Sequence, residues 1–146
     1  MTTLLVTGSR NYCGDLAPYC DLLAQLNGQL FSDAPITLIH GGAAGADTIA
    51  GKEGHQRGWT VNSFPAEWGK YGKKAGPMRN TSLVQHCPHL ALAVLTSTSV
   101  GTRDCLRKLA ASTNKVECRL AYVLLVDGDN GGARWLTPTE LYQEFG

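Results

Sequence analysis

LIHGGAAGAD, residues 38–47, places two apolar residues ahead of a histidine, two adjacent glycines, two alanines, a third glycine, a third alanine and an aspartate. The apolar run has the length and continuity of a strand covered on both faces. The glycines free the backbone for a tight turn and for close approach to a neighbour or a ligand. Ala46, Ile49 and Ala50 then suggest a small-faced helix that ends near Gly58. Strand, glycine turn and helix together are the start of a β-α-β unit. The turn then lies at the carboxyl end of a parallel strand.

The rest of the chain repeats that unit. Leu4, Leu5 and Val6 form a first short strand, followed by the turn-rich GSRNYCGD. Asp15 is placed to cap a helix carrying Leu16, Tyr19, Cys20, Leu23, Leu26 and Leu30, with Asn27-Gly28 expected to loosen or end it. Residues 60–64 read as a third strand. A long connection, PAEWGKYGKKAGP, leads to a helix from about Pro77 to His86. Leu90 to Leu95 is a fourth strand, followed by TSTSVGT and a helix with Cys105, Leu106, Leu109 and Ala110. Ala121 to Val126 is a fifth strand and DGDNGGAR a loop. Thr137, Pro138 and Glu140 form a capping box at the start of a last helix reaching about Phe145, with Leu136 and Leu141 at staple spacing. The expectation is one α/β domain over residues 1–146. It is a Rossmann-like three-layer sandwich with a mostly parallel sheet of about five strands and helices on both faces.

Composition narrows the class. A chain of 146 residues buries about two thirds of its unfolded surface and needs neither disulfide nor metal to fold. Net charge is +1 and the pI about 7.7, which argues against a long nucleic-acid footprint. The five cysteines are odd in number, show no CxxC pair and follow no secretory signal, as expected of idle thiols in a reducing cytosol. His86, Cys87 and His89 are interrupted by Pro88, and no distant pair completes a zinc set. Neither a metal nor a cofactor is expected, and the expected location is cytoplasmic.

Four loops after strands share one flavour. They are Gly8-Ser9-Arg10, then Gly41-Gly42-Ala43-Ala44-Gly45-Ala46-Asp47, then the aromatic and basic segment ending in Arg79-Asn80, then Thr96 to Thr102. Glycines admit a phosphate to the backbone, and N–H groups at helix starts attract anions. Ser9, Thr98, Ser99 and Thr102 offer hydroxyls, while Arg10 and Arg79 offer forked donors. In WGKYGKK, Trp68 and Tyr71 can stack on a base, and Lys70, Lys73 and Lys74 can neutralise phosphate. Thirteen residues without secondary structure suggest a functional lid. Taken alone, GGAAG is equally a packing turn: it is neither GxGxxG nor a Walker loop, and TGSR is no nucleophile elbow.

VTGSR, HGGAAGAD, FPAEWGKYGKKAGPMRN and VGT, in that order, resemble the SLOG superfamily, and within it the YspA-related branch of small bacterial and phage proteins. The likeness covers roughly residues 3–113. It implies a Rossmann-like domain that binds nucleotides or nucleotide-derived ligands at the strand ends. The superfamily includes the Lonely Guy phosphoribohydrolases, the single-stranded-DNA binder DprA, and sensors of NAD-derived signals. Members commonly pair through helices flanking the site, so the resemblance implies a homodimer or larger homo-oligomer. Against the Lonely Guy signature, Arg79 matches the arginine and Gly101-Thr102 the GT, but Cys105 stands where the catalytic glutamate belongs. Asp104 is adjacent, about 100° away around a helix.

The leading expectation is a protein that binds a nucleotide or an NAD-derived, ADP-ribose-like molecule, cyclic forms included, without efficient turnover. Its ligand residues would be Gly8, Ser9, Arg10, Gly41, Gly42, Ala43, Gly45, Asp47, Trp68, Lys73, Arg79, Asn80, Thr98, Ser99, Gly101 and Thr102. The alternatives are a nucleotide N-glycosidic hydrolase using Asp47 or Glu67, and a single-stranded-DNA-binding protein. The expected partner is a nucleotide-derived small molecule, with nucleic acid disfavoured and no membrane.

Overall fold

The central strand is Thr2–Gly8 (β1), six of whose seven residues are buried. It pairs in parallel with Ile36–His40 (β2) on one side and Leu90–Leu95 (β4) on the other. Residues 1–146 are described by a computed structural model. Beyond β2 lies Thr60–Ser63 (β3), and beyond β4 lies Tyr122–Asp127 (β5), both parallel. Ala133–Leu136 (β6) closes the edge antiparallel to β5, giving the order β3-β2-β1-β4-β5-β6.

Strand residues alternate faces, and each face has its own core. Leu4, Val6, Leu38, Leu92 and Val94 pack on Ala17–Phe31 (α1) and Ala46–Gln56 (α2) through Leu23, Ala46 and Ala50. Leu5, Ile39, Ala91, Ala93 and Val123 face Ala75–Val84 (α4), Val100–Ser112 (α5) and Pro138–Phe145 (α6), through Leu83, Leu106, Leu109 and Leu141. Truncating one of these fully buried leucines to alanine costs about 2–5 kcal/mol. The continuous apolar strands follow from this double cover.

Local expectations fared differently. Asp15 does accept from the first N–H of α1, at Ala17 (2.9 Å). The Thr137–Glu140 capping box is formed. Asn27-Gly28 does not end α1, which runs to Phe31. Asn27 is buried, accepts from the Thr2 hydroxyl (2.5 Å) and donates to the Ala34 carbonyl (2.9 Å), so tertiary bonds hold it inside the helix. The supposed loop after β3 is partly helical. Trp68–Tyr71 (α3) and a 3-10 turn at Gly72–Lys74 precede α4, which starts at Ala75 rather than Pro77. Pro77 is still within the first turn, where its missing N–H is harmless. The sixth strand, β6, falls where a loop was expected to run into the last helix. Two glycines at positive φ, Gly131 and Gly132, turn the chain into it. No helix is long and apolar enough to cross a membrane.

Candidate functional site

The chain winds outward from β1 to β3, then crosses back to β4. At that reversal the carboxyl ends of β1 and β4 open a crevice, the usual ligand position in such sheets. A cavity of about 600 Å³ fills it. The β1 loop lines it with Gly8, Ser9, Arg10 and Asn11; the β2 loop and α2 contribute Ala43 and Asp47. Trp68, Lys73, Arg79 and Asn80 come from α3 to α4, and Thr98, Ser99, Gly101, Thr102 and Asp104 from the start of α5. Gly41, Gly42, Gly45 and Glu67, expected at the same site, do not line it.

The glycines of the opening motif serve packing between loops. Gly45 has φ +78°, and a Cβ there would collide with the carbonyls of Ser9 and Arg10. The Ala46 N–H donates to the Ser9 carbonyl (3.1 Å), and a Cβ on Gly8 would come 2.5 Å from that of Ala46. The loops after β1 and β2 are thus pressed backbone to backbone. At Gly41 the intruder would be the Arg79 guanidinium.

Three of the loop N–H groups are engaged within the protein. Asp47 Oδ2 accepts from the N–H of Gly41 (3.0 Å) and of Ala43 (3.3 Å). His40 Nδ1 accepts from the Gly42 N–H (2.9 Å). Burial, with Arg79 and His55 nearby, lowers the His40 pKa, which suits the neutral ring that such acceptance requires. The protein's own carboxylate therefore fills the nest expected to take an anion. Burial pushes Asp47 up to about 6, against the pull of the Ala43 and Gly41 N–H groups, Arg79 and Arg10. Its other oxygen, Oδ1, is buried with no hydrogen-bond partner, the one such side-chain atom in the protein.

Arg79 links three walls. Its Nη1 donates to the Gly41 carbonyl (2.6 Å) and its Nε to Asn80 Oδ1 (2.9 Å). Asn80 Nδ2 in turn donates to the Gly101 carbonyl (3.1 Å) and Asp104 Oδ2 (3.0 Å). Both ends of the Asn80 amide are thus used within the protein, so Asn80 positions Arg79 against α5. Asp104 also binds Lys108 (2.9 Å) and Arg107 (2.7 Å). Burial alone would raise Asp104, but hydrogen bonds from Lys108, Asn80 and Arg107 outweigh it and hold the carboxyl below its ordinary value.

The α5 wall presents hydroxyl and N–H groups. Buried hydroxyls of Ser9, Thr96 and Ser99 bond one another, Thr96 to Ser9 at 3.2 Å and to Ser99 at 2.7 Å. In the first turn of α5, Val100 N–H turns back to the Thr98 carbonyl and Arg103 N–H to that of Ser99. Gly101 and Thr102, which both line the cavity, meet no backbone acceptor. At the rim, the Arg10 guanidinium sits 5.1 Å over the Trp68 ring. Trp68 packs against Gly76, where a Cβ would be 2.9 Å from the ring.

Some expected companions separate. Glu67 lines a neighbouring groove of about 420 Å³ with Phe64, Pro65 and Met78, and only Arg79 is shared with the cavity. Asp47 and Glu67 are not an acid pair across one site. Lys70 and Lys74 do not line the cavity, and Lys70 instead lies 5.0 Å over Tyr71. Cys105 is fully buried among leucines, its thiol pushed up to about 12 by that burial. Its neighbour Asp104, discounted on helical phase, is the residue that reaches the cavity. Asn11 was also missed; as the residue after Arg10 in a loop that lines the cavity, its place was the available signal. A further cavity of about 500 Å³ lies beside the β5–β6 turn. There Arg134 is paired with Glu144, and Asp127 caps its own turn.

Known proteins resemble this chain at several levels. The X-ray structure of TM1055, a structural genomics target, matches with a TM-score of 0.49 and 16% identity, covering 76% of this chain and 69% of that one. Gene 61 protein of Mycobacterium phage D29 is 34% identical over 113 residues, which span 74% of this chain and 88% of that protein. The family model for YAcAr, the YspA, cpYpsA-related SLOG family, matches residues 2–71. That match contains the TGSR loop, the glycine-rich loop and Trp68, three parts of the crevice. The relative's 34% identity extends the likeness well beyond residue 71, and the chain belongs to the YspA, cpYpsA-related SLOG family.

Proposed function

We propose that this protein binds a nucleotide or an NAD-derived molecule of the ADP-ribose kind in the crevice between β1 and β4, to sense or sequester it. One observation carries the reading. The cavity joins three cationic side chains, Arg10, Lys73 and Arg79, to two N–H groups without backbone acceptors at the start of a thirteen-residue helix. That combination suits a phosphate. A volume of about 600 Å³ falls within the range of small-molecule sites. Phosphate would sit toward Ser9–Asn11 and Gly101–Thr102, away from the glycine loop. Trp68, 46% exposed at the rim, offers a face for a base. The test is the mass of small molecules released when the purified protein is denatured, followed by calorimetric titration of the same compound. A nucleotide-derived mass that rebinds supports the reading; silence from every nucleotide ends it.

A hydrolase is the second reading, favoured by Asp47. A cavity-lining carboxyl raised to about 6 would take a proton from water attacking an N-glycosidic carbon once the wall over its buried Oδ1 opens. It predicts free base from AMP on long incubation and none from the Asp47→Asn variant. Nucleotide recovered intact would dismiss it.

Pairing of two copies is part of the proposal. Trp68 and Val100 line the cavity yet are 46% and 79% exposed, and Met78 nearby is 44% exposed. Sedimentation should find a dimer or larger species, and a monomer at every concentration would refute this part.

A further inference from the structure

Asp47 is the least settled group in the molecule. Its residue is 4% exposed, and it forms part of the cavity wall. Oδ2 is satisfied by the N–H groups of Gly41 and Ala43, but Oδ1 has no partner. A buried carboxylate oxygen without a donor is costly. Four nearby N–H groups are engaged elsewhere: those of Gly41 and Ala43 on Oδ2, that of Gly42 on His40 and that of Ala46 on the Ser9 carbonyl.

The surroundings limit what can arrive. Arg10 from the β1 loop and Arg79 from α4 are the cations that act on Asp47. Neither comes within ion-pair distance, since Asp47 appears in no salt bridge. A cationic ligand would meet Arg10, Lys73 and Arg79 together and be repelled. The missing donor is therefore a neutral group carried by a molecule that is otherwise anionic. Oδ1 is buried from water, so contact requires the adjoining wall to give. The Ser9–Arg10 loop, neither helix nor strand, packs against the start of α2.

Resting on the nucleotide reading above, we infer that Asp47 Oδ1 accepts a hydrogen bond from a sugar hydroxyl of the ligand, making the cavity selective for a ribose phosphate over a phosphate alone or a deoxygenated sugar. Arg10 and Arg79 hold the phosphate, and Asp47 reads the hydroxyl. A site built to bond a hydroxyl rejects the analogue lacking it, because its own acceptor is then left buried and bare.

The experiment is calorimetric titration of the full chain with AMP, its 2′,3′-dideoxy analogue and inorganic pyrophosphate. Wild type should bind AMP about 10- to 100-fold more tightly than the dideoxy compound. Asp47→Asn keeps an acceptor for the Gly41 and Ala43 N–H groups and loses the charge, so that preference should shrink to about 3-fold or less. Circular dichroism confirms that the variant is folded. Equal affinity for AMP and the dideoxy analogue, binding of pyrophosphate without AMP, or full preference retained in Asp47→Asn would overturn the inference while leaving a phosphate site. No binding of AMP, ADP-ribose or pyrophosphate would overturn the nucleotide reading itself, and the hydroxyl contact with it.

Discussion

Arg79 Nη1 rests 2.6 Å from the carbonyl of Gly41, so a side chain on α4 closes over the loop that ends β2. The same guanidinium is tied by Nε to Asn80. It reaches the cavity already oriented, and an oriented cation loses less freedom when a phosphate arrives. Arg79→Ala should weaken nucleotide binding about 10- to 100-fold. It should also cost about 1–2 kcal/mol of stability by stripping the Gly41 carbonyl of its donor. Calorimetry and urea unfolding read the two effects separately.

Gly45 and Gly58 share almost the same backbone angle, φ +78° and +77°, but differ in surroundings. A Cβ on Gly45 strikes the Ser9 and Arg10 carbonyls, whereas one on Gly58 meets nothing within 4 Å. Gly58→Ala should cost about 1 kcal/mol, the strain of a left-handed alanine. Gly45→Ala should cost at least about 3 kcal/mol, because backbone must move as well. Equal midpoints in urea for the two variants would refute the packing role given to Gly45.

Asp47 should set an acid-side trend in stability. Its carboxyl is raised from 3.8 to about 6 in the folded protein. The folded state therefore binds the proton more tightly than the unfolded chain. Its stabilising contribution is fully present below about pH 4 and is lost as pH rises through about 6, by roughly 3 kcal/mol. Asp47→Asn should remove this trend, so the gap in stability between variant and wild type should change between pH 4 and 6 and be flat above 7. Parallel curves across that window would contradict the burial assigned to the carboxylate.

Thiol chemistry separates an idle Cys105 from a reactive one. Cys13 is exposed, while Cys20 and Cys105 are buried with thiols pushed up to about 11 and about 12, chiefly by that burial. In the native protein a thiol reagent at pH 8 should label Cys13 and leave Cys20 and Cys105 untouched until denaturant is added. Mass mapping of labelled peptides checks this, and rapid native labelling of Cys105 would place it in the cavity after all.

The layers of this fold were legible because its strands are covered on both faces, so Leu4 to Val6 and Leu90 to Leu95 read as unbroken apolar runs, and Ile36 to Ile39 as one interrupted only by Thr37. β6 was not: only Leu136 of its four residues is buried, too little pattern to see. The α3 turn was hidden by Gly69 and Gly72, which weaken any helical signal. Within the crevice, the four loops were recognisable by their residue types. The assignment inside them was not. Whether the Gly41 N–H faces a ligand or Asp47 depends on one side chain six residues on. Whether Asp104 or Cys105 faces the cavity depends on helix phase, which spacing from a related motif fixes only if the registers agree.

Nucleotide binding in the crevice is tested most directly by titrating ADP-ribose into the purified wild-type protein, with Arg79→Ala as its paired control. The wild type should give saturable heat at a single class of site, strongly weakened in the variant. No heat from ADP-ribose, AMP or NAD with the folded wild-type protein, or unchanged affinity in Arg79→Ala, would contradict it.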